Sequence, residues 1–206
     1  MRPSKREDII RQALTVFEKR GFRGVGVDAL AAECGVSKTS IYNNFGSKEG
    51  LAIAALRRRE LAFETWLIRW VESRADSCED QLLSLFDALA DWCAQQGPHA
   101  GAPLVAPADH SGGESPLNRQ AAAEKRALLA HIRVLCAQAA FARPDDVAAQ
   151  IAVIFEGAHS AAATGVVSDP AEAGKRAAEA VIKSAERAPG WVSERAGPRR
   201  KDPSAR

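Results

Sequence analysis

No run of eighteen apolar residues occurs in this 206-residue chain, so no segment is expected to span a membrane as a helix. The start, MRPSKREDII, is too charged for a secretory signal, and no apolar stretch follows it. The chain has four cysteines, Cys34, Cys78, Cys93 and Cys136, widely spaced and without a CxxC pair. They read as reduced thiols packed in the helices of a cytosolic protein, not as a disulfide framework. His99, His110, His131 and His159 show no metal-ligand spacing with one another or with cysteine, so no metal is expected. Gly-rich phosphate loops of the Walker or dinucleotide type are absent. Ser111-Gly112-Gly113 is not a nucleophile elbow, because no strand precedes it. The pair Asp145-Asp146 looks like charge at a helix start. With no catalytic constellation the chain is not expected to be an enzyme, and no cofactor is implied.

What is present is helix. The composition is 46% hydrophobic and rich in alanine, and no alternating strand pattern stands out. Net charge is only +2 but unevenly placed. Residues 1–60 hold 12 Lys+Arg against 7 Asp+Glu; residues 61–188 hold 11 against 17; residues 189–206 hold 5 against 2. A basic front on an acidic body suits a protein that meets nucleic acid at one end.

The most informative stretch is VDALAAECGVSKTSIYNNFGSKEGL, residues 27–51. Val27, Leu30 and Ala31 share one apolar face at helical spacing. Cys34-Gly35-Val36 breaks that helix, with Gly35 free to turn left-handed. Ser37 is placed to cap a second helix from Lys38 to Asn44. Ile41 is its buried residue, while Lys38, Thr39, Ser40, Tyr42 and Asn43 face outward. Hydroxyls, an amide, a phenol and a lysine on one face suit the phosphates and base edges of a DNA major groove. The pattern is a helix-turn-helix.

These residues resemble the DNA-binding domain of the TetR family of bacterial transcriptional regulators. The resemblance runs through Phe17 to Gly21-Phe22, Val27-Asp28-Ala29-Leu30-Ala31, Gly35-Val36-Ser37, Ile41-Tyr42-Asn43-Asn44-Phe45 and Ser47-Lys48-Glu49-Gly50-Leu51. It covers roughly residues 5–55. Two positions depart from the family pattern. Val25-Gly26 stands where a Thr or Ser usually caps the second helix, and Asn44 stands where His or Tyr is frequent. Both put individual phosphate contacts in doubt.

The resemblance implies an all-α fold: a three-helix helix-turn-helix domain at residues 1–47, then a helical ligand-binding and dimerisation domain at residues 48–188. Residues 189–206, rich in Pro, Arg and Ser, read as a disordered basic tail. It implies DNA contacts from Lys38, Thr39, Ser40, Tyr42, Asn43 and Lys48, with Tyr42 and Lys48 on phosphates. Arg2, Lys5 and Arg6 are basic residues within reach of phosphates at the start of the chain.

Further along, Ser4 and Glu7 form a capping box for a first helix to Arg20, with Ile9, Ile10, Ala13, Leu14 and Phe17 as its buried stripe. A long helix from Ser47 or Lys48 to Ser73 links the two domains. Its early part carries Leu51, Ile53, Ala54 and Leu56; its later part carries Leu61, Phe63, Trp66, Leu67, Trp70 and Val71. Helices follow over about 79–96, 116–140, 145–165 and 170–187, with a break at 97–103, a short helix at 103–106 and a loop at 107–116.

By resemblance, a small and largely apolar effector binds among the rear helices, with Trp66, Trp70, Phe86, Trp92 and Phe155 as candidate pocket residues. Plain core packing is the competing reading for each. His159, in the middle of an apolar helix, is either a polar group in that cavity or a satisfied core histidine. The last two helices are rich in small residues, which let helices approach closely. Ala158, Ala161, Ala162, Ala177 and Val181 are the candidate dimerisation residues, since the family dimerises through this pair. The expectation is a homodimeric repressor of the bacterial cytoplasm, bound to a palindromic operator as double-stranded DNA and released by a small molecule. Two alternatives stand beside it: a helical enzyme, and an interaction module whose helix-turn-helix has lost specific DNA binding.

Overall fold

The computed structural model describes residues 4–96 and 116–189. Among them are eight helices and no strand: α1 Lys5–Arg20, α2 Val27–Glu33, α3 Lys38–Phe45, α4 Lys48–Glu72, α5 Cys78–Gln96, α6 Pro116–Gln138, α7 Pro144–Thr164 and α8 Pro170–Ser184. The expected short helix at 103–106, the loop after it and residues 190–206 of the tail lie outside the described residues.

Two hydrophobic cores organise the chain. The front core gathers Ile9, Ile10, Ala13, Val16 and Phe17 of α1 with Leu30 and Ala31 of α2, Ile41 of α3 and Leu51, Ala52, Ala55 and Leu56 of α4. The rear core takes Phe63, Leu67 and Val71 of the same α4 with residues of α5, α6, α7 and α8. One helix of 25 residues, about 37 Å long, therefore belongs to both.

Local signals place the helix ends. The Ser4 hydroxyl accepts from the Glu7 N–H at 3.2 Å. The Glu7 carboxylate turns away from the cap to pair with Arg58 of α4. Gly21, at φ +69°, ends α1 with its N–H on the Phe17 carbonyl at 2.8 Å. The Ser47 hydroxyl accepts from Gly50 N–H at 2.9 Å and starts α4. A Cβ on Gly50 would lie 2.1 Å from the Phe45 carbonyl oxygen. Glycine is thus what lets α4 begin so close to the end of α3.

Two expectations are corrected, one in α1 and one at the end of the last helix. In α1, Val16 is buried where Leu14 was expected, and Leu14 is only half-buried. In α4, Leu51 and Leu56 sit in the front core with Ala52 and Ala55, and Ile53 and Ala54, half-buried, pack against it as expected. The last helix ends at Ser184, not at Arg187. Residues 186–188 instead pair with residues 140–142, with Ala142 N–H on the Glu186 carbonyl and Ala188 N–H on the Ala140 carbonyl, both 2.9 Å. Arg187 holds this segment: its guanidinium donates to the Ala139 carbonyl and to Glu79, each at 2.7 Å, and lies 4.0 Å from the Phe141 ring centre.

Candidate functional site

The α2–α3 turn is built as a left-handed stop. Gly35 has φ +60°, and Cys34, Gly35 and Val36 donate back to Leu30, Ala32 and Ala31 carbonyls at 2.9, 3.1 and 3.0 Å. These bonds close the last turn of α2. The Ser37 hydroxyl then caps α3 by accepting from Ser40 N–H at 3.1 Å. No side chain caps α2, whose N-cap is Gly26. Ile41 is fully buried and fixes the rotation of α3, so the opposite face meets solvent.

On that face Thr39, Tyr42 and Asn43 are exposed, Tyr42 at 45%. The other candidates are engaged. Ser40 shares its hydroxyl with Ser37 at 3.0 Å. Lys38 pairs with Asp28 of α2 at 2.9 Å, and that hydrogen bond, helped by the carboxylate's charge, raises the lysine's pKa. The Lys48 ammonium sits 4.2 Å from the Phe22 ring centre, half-buried, and burial lowers its pKa. Asn44 donates from its amide to the Ser40 carbonyl at 2.8 Å, turning back along its own helix. The six expected residues thus lie at one end of the molecule, three presented openly and three held by local partners. Asp28 and Phe22, both part of the motif, are the partners that hold Lys38 and Lys48, a role that motif reading did not give them.

In the rear core the aromatic candidates form one continuous series. Ring centres run Trp70–Trp66 at 6.4 Å, Trp66–Trp92 at 5.1 Å, Trp92–Phe63 at 5.1 Å, Phe63–His159 at 5.5 Å, His159–Phe155 at 6.3 Å and Phe155–Phe86 at 5.7 Å. Phe63 joins a set that was expected without it. The series passes from surface to interior. Trp66, Trp70 and Trp92 are half-buried, His159 is buried against Phe63, and Phe86 and Phe155 are fully buried. Phe86 and Phe155 are therefore core residues, with rings filled against each other.

Apart from this series, a groove of about 1100 Å³ runs along the outer face of α4. It runs from Arg6 and Ile10 of α1, past Leu61, to Trp66 and Trp70, with Asp91 and Gln95 of α5 on its rim. Of the expected pocket residues, only Trp66 and Trp70 line it.

The dimerisation candidates separate in the same way. Ala158 is buried, and its methyl packs against α8 where Gly174 leaves room, so its face is used within the protomer. Ala161, Ala162 and Val181 are half-buried and Ala177 is exposed. Val153 and Val166 of the same region are 73% and 78% exposed. Among the described residues no helix is long and apolar enough to cross a membrane, and no group of three or more metal-ligating side chains occurs.

Residues 9–55 match the family model described as bacterial regulatory proteins, tetR family. In sequence the chain is 28% identical over 96 residues to the HTH-type transcriptional repressor NemR of Escherichia coli, covering 47% of this chain and 48% of that one. The chain spans less than half the length of the curated relatives it matches. In structure it is similar to a TetR-family transcriptional regulator from Streptomyces coelicolor, with TM-score 0.73 and 20% identity over 87% of this chain and 94% of that one. It is also similar to a cysteine mutant of the TetR-family regulator CifR complexed with 26-bp operator DNA, with TM-score 0.66 and 22% identity over 90% and 98%.

Proposed function

We infer that this chain, whose residues 9–55 are the N-terminal domain of the TetR family of bacterial regulatory proteins and whose helices follow that family's fold, is a sequence-specific transcriptional repressor. It acts in the bacterial cytoplasm as a homodimer and leaves its operator when a small molecule binds the rear helices. The observation that carries this reading is the exposed face of α3. Ile41 turns Thr39, Tyr42 and Asn43 outward on a helix with a capped N-terminus, the arrangement a helix needs to enter a major groove.

Two such helices, placed about 34 Å apart by a two-fold axis, read the half-sites of a palindrome. The outward surface of α7 and α8, with Val153, Ala177 and Val181, is where the second subunit packs. The regulator CifR, complexed with operator DNA, and the repressor NemR support the same direction. Coupling runs through α4, which contributes to both cores. An effector shifts the protein towards release only as far as it binds the released state better than the bound one.

The test is binding to DNA from just upstream of the protein's own coding region, measured by fluorescence anisotropy over a salt series. Binding that steepens as salt falls and survives excess random duplex is expected. Binding equal to that of random DNA would favour the interaction-module reading, for which the missing side-chain cap at Gly26 is the structural argument. A protein that stays monomeric at micromolar concentration with and without DNA would overturn the dimeric mechanism.

A further inference from the structure

We propose that the groove along α4 binds a small aromatic acid, an aryl carboxylate or sulfonate, with its rings against Trp66 and Trp70 and its anionic group on Arg69. The proposal deepens the ligand-responsive reading above and rests on it. It moves the ligand from the interior aromatic stack to the outer face of the helix.

The groove side of α4 follows the spacing of a helical stripe. Ala54 and Leu61 lie seven residues apart and Ala62, Trp66 and Trp70 follow at intervals of four, with Ile53 adjoining, beside the stripe buried in the cores. Leu61 on this stripe is 66% exposed, an apolar side chain with little covering it among the described residues. Arg69 lies three residues after Trp66 and directly before Trp70, so a guanidinium and two indoles share one turn of one face.

The charge of the groove points to an anion. Arg6, Arg57, Arg58, Arg69 and Arg74 line it against Glu7 and Asp91, five positive charges to two negative. Of these, Arg69 and Arg74 against Asp91 lie within residues 61–188, which as a whole hold 11 basic against 17 acidic residues. Glu7 is already committed to Arg58 and Arg6. Arg74 lies over the Trp70 ring at 4.2 Å. Among the described residues, Arg57 and Arg69 have no carboxylate partner; Arg57 donates to the Gln120 amide oxygen at 2.6 Å. A planar guanidinium beside aromatic faces suits a carboxylate or sulfonate carried on a ring.

The platform is also fixed. The Trp70 indole N–H donates to Asp91 of α5 at 2.9 Å, and Trp66 is held against Trp92. Among the described residues that line this end of the groove, Asp91 is the one carboxylate, and it opposes an anion. Operator phosphates are a poor alternative occupant, because Arg69 lies 21 residues, about 30 Å, along α4 from Lys48. A ligand here touches α4 and α5 beside the rear core, and the same groove continues to α1 of the front core.

Anilinonaphthalene sulfonate and phenylnaphthylamine make the test, one an aromatic anion and the other its uncharged counterpart. Each is titrated by fluorescence into the full-length protein and into Arg69→Gln and Asp91→Asn variants. The sulfonate is expected to bind the wild type with one site per protomer. Arg69→Gln should weaken it about tenfold, the effect of one charge-assisted hydrogen bond. Asp91→Asn keeps an acceptor for the Trp70 N–H and should tighten the sulfonate several-fold. The neutral amine should change less than twofold in either variant. Opposite signs from the two variants exclude misfolding as the cause.

Sulfonate binding indifferent to both substitutions, or parallel changes in the two probes, would overturn the anion site. Displacement of the sulfonate by random duplex DNA from the wild type but not from Arg69→Gln would assign the groove to nucleic acid and overturn it too. Operator binding measured without either probe tests the regulator reading separately. Specific operator binding with indifferent variants sinks only this proposal, whereas the expected variant pattern without operator binding sinks only the regulator.

Discussion

Lys38 and Asp28 tie the first turn of α3 to the first turn of α2, nitrogen to oxygen at 2.9 Å. The pair is exposed, so it contributes little to stability. It does set a negative charge beside a lysine expected on DNA. Asp28→Asn should therefore raise operator affinity about threefold at low salt and leave the melting temperature within a degree or two. Anisotropy titrations at two salt concentrations check this. An unchanged affinity would mean that Lys38 does not approach the phosphates.

Tyr42 is half-exposed on α3 and contributes no surface to the front core cluster. Tyr42→Ala should weaken operator binding about tenfold, in the range of one or two lost polar contacts. Thermal unfolding should shift by no more than a few degrees. A large loss of stability would assign the ring to packing instead.

Gly174 is a packing glycine. A Cβ there would come within 2.8 and 2.9 Å of the buried Phe86 ring and 3.0 Å of the Ala158 methyl. Alanine gains about 1 kcal/mol of helix propensity over glycine. Overpacking against a buried ring costs about 1–3 kcal/mol. Gly174→Ala should therefore be destabilising on balance, by about 1 kcal/mol and a few degrees of melting temperature. A variant more stable than the wild type would show that α8 can slide away from α5.

Burial lowers the pKa of His131 from its ordinary 6.5, with Glu72 and Glu64 pulling the other way. The unfolded chain then accepts a proton that the folded chain resists. Stability from this residue is fully present above pH 6.5 and is lost as the pH falls from there towards the lower folded value. His131→Gln should flatten the decline in melting temperature between neutral and mildly acidic pH. An identical pH profile for the two proteins would show that the imidazole titrates freely.

Cys136 is fully buried, and burial pushes its thiol up to about 12. The thiolate is the nucleophile, so native protein should not alkylate there at pH 8 while unfolded protein should. Peptide mapping after iodoacetamide treatment checks both. Labelling of the native thiol would reveal an opening of the α5–α6–α7 core.

The helix-turn-helix was the most legible part of the sequence because its signals are local. Gly35, Ser37 and Ile41 each act within a few residues, and the structure places each in the role its type suggests. The α4 limits were close for the same reason, with Ser47 as the cap. Misses came where distant contacts decide. Nothing near Arg187 in sequence shows that Glu79 and the Ala139 carbonyl will draw it out of helical continuation. Nor does an alanine-rich pattern tell which methyl faces inward: Ala158 does so because Gly174 leaves room opposite. The rear aromatics were singled out by type alone, whereas the burial of Phe86 and Phe155 depends on how α5 and α7 meet. The groove was missed because its lining comes from α1, α4 and α5, segments far apart in sequence that only folding brings together.

Between Leu56 and Phe63, α4 contributes no buried side chain to either core. That interval is seven residues, close to two full turns, so both buried stripes keep the same rotational phase. The six intervening residues form the stretch of the helix where neither core holds a side chain. Losing a single residue there would turn the rear half by about 100° against the front and shorten the helix by about 1.5 Å. Losing seven would almost restore the phase while drawing the halves about 10 Å closer. Exchange of front halves between related chains should therefore succeed at this junction only when the residue count across it is kept.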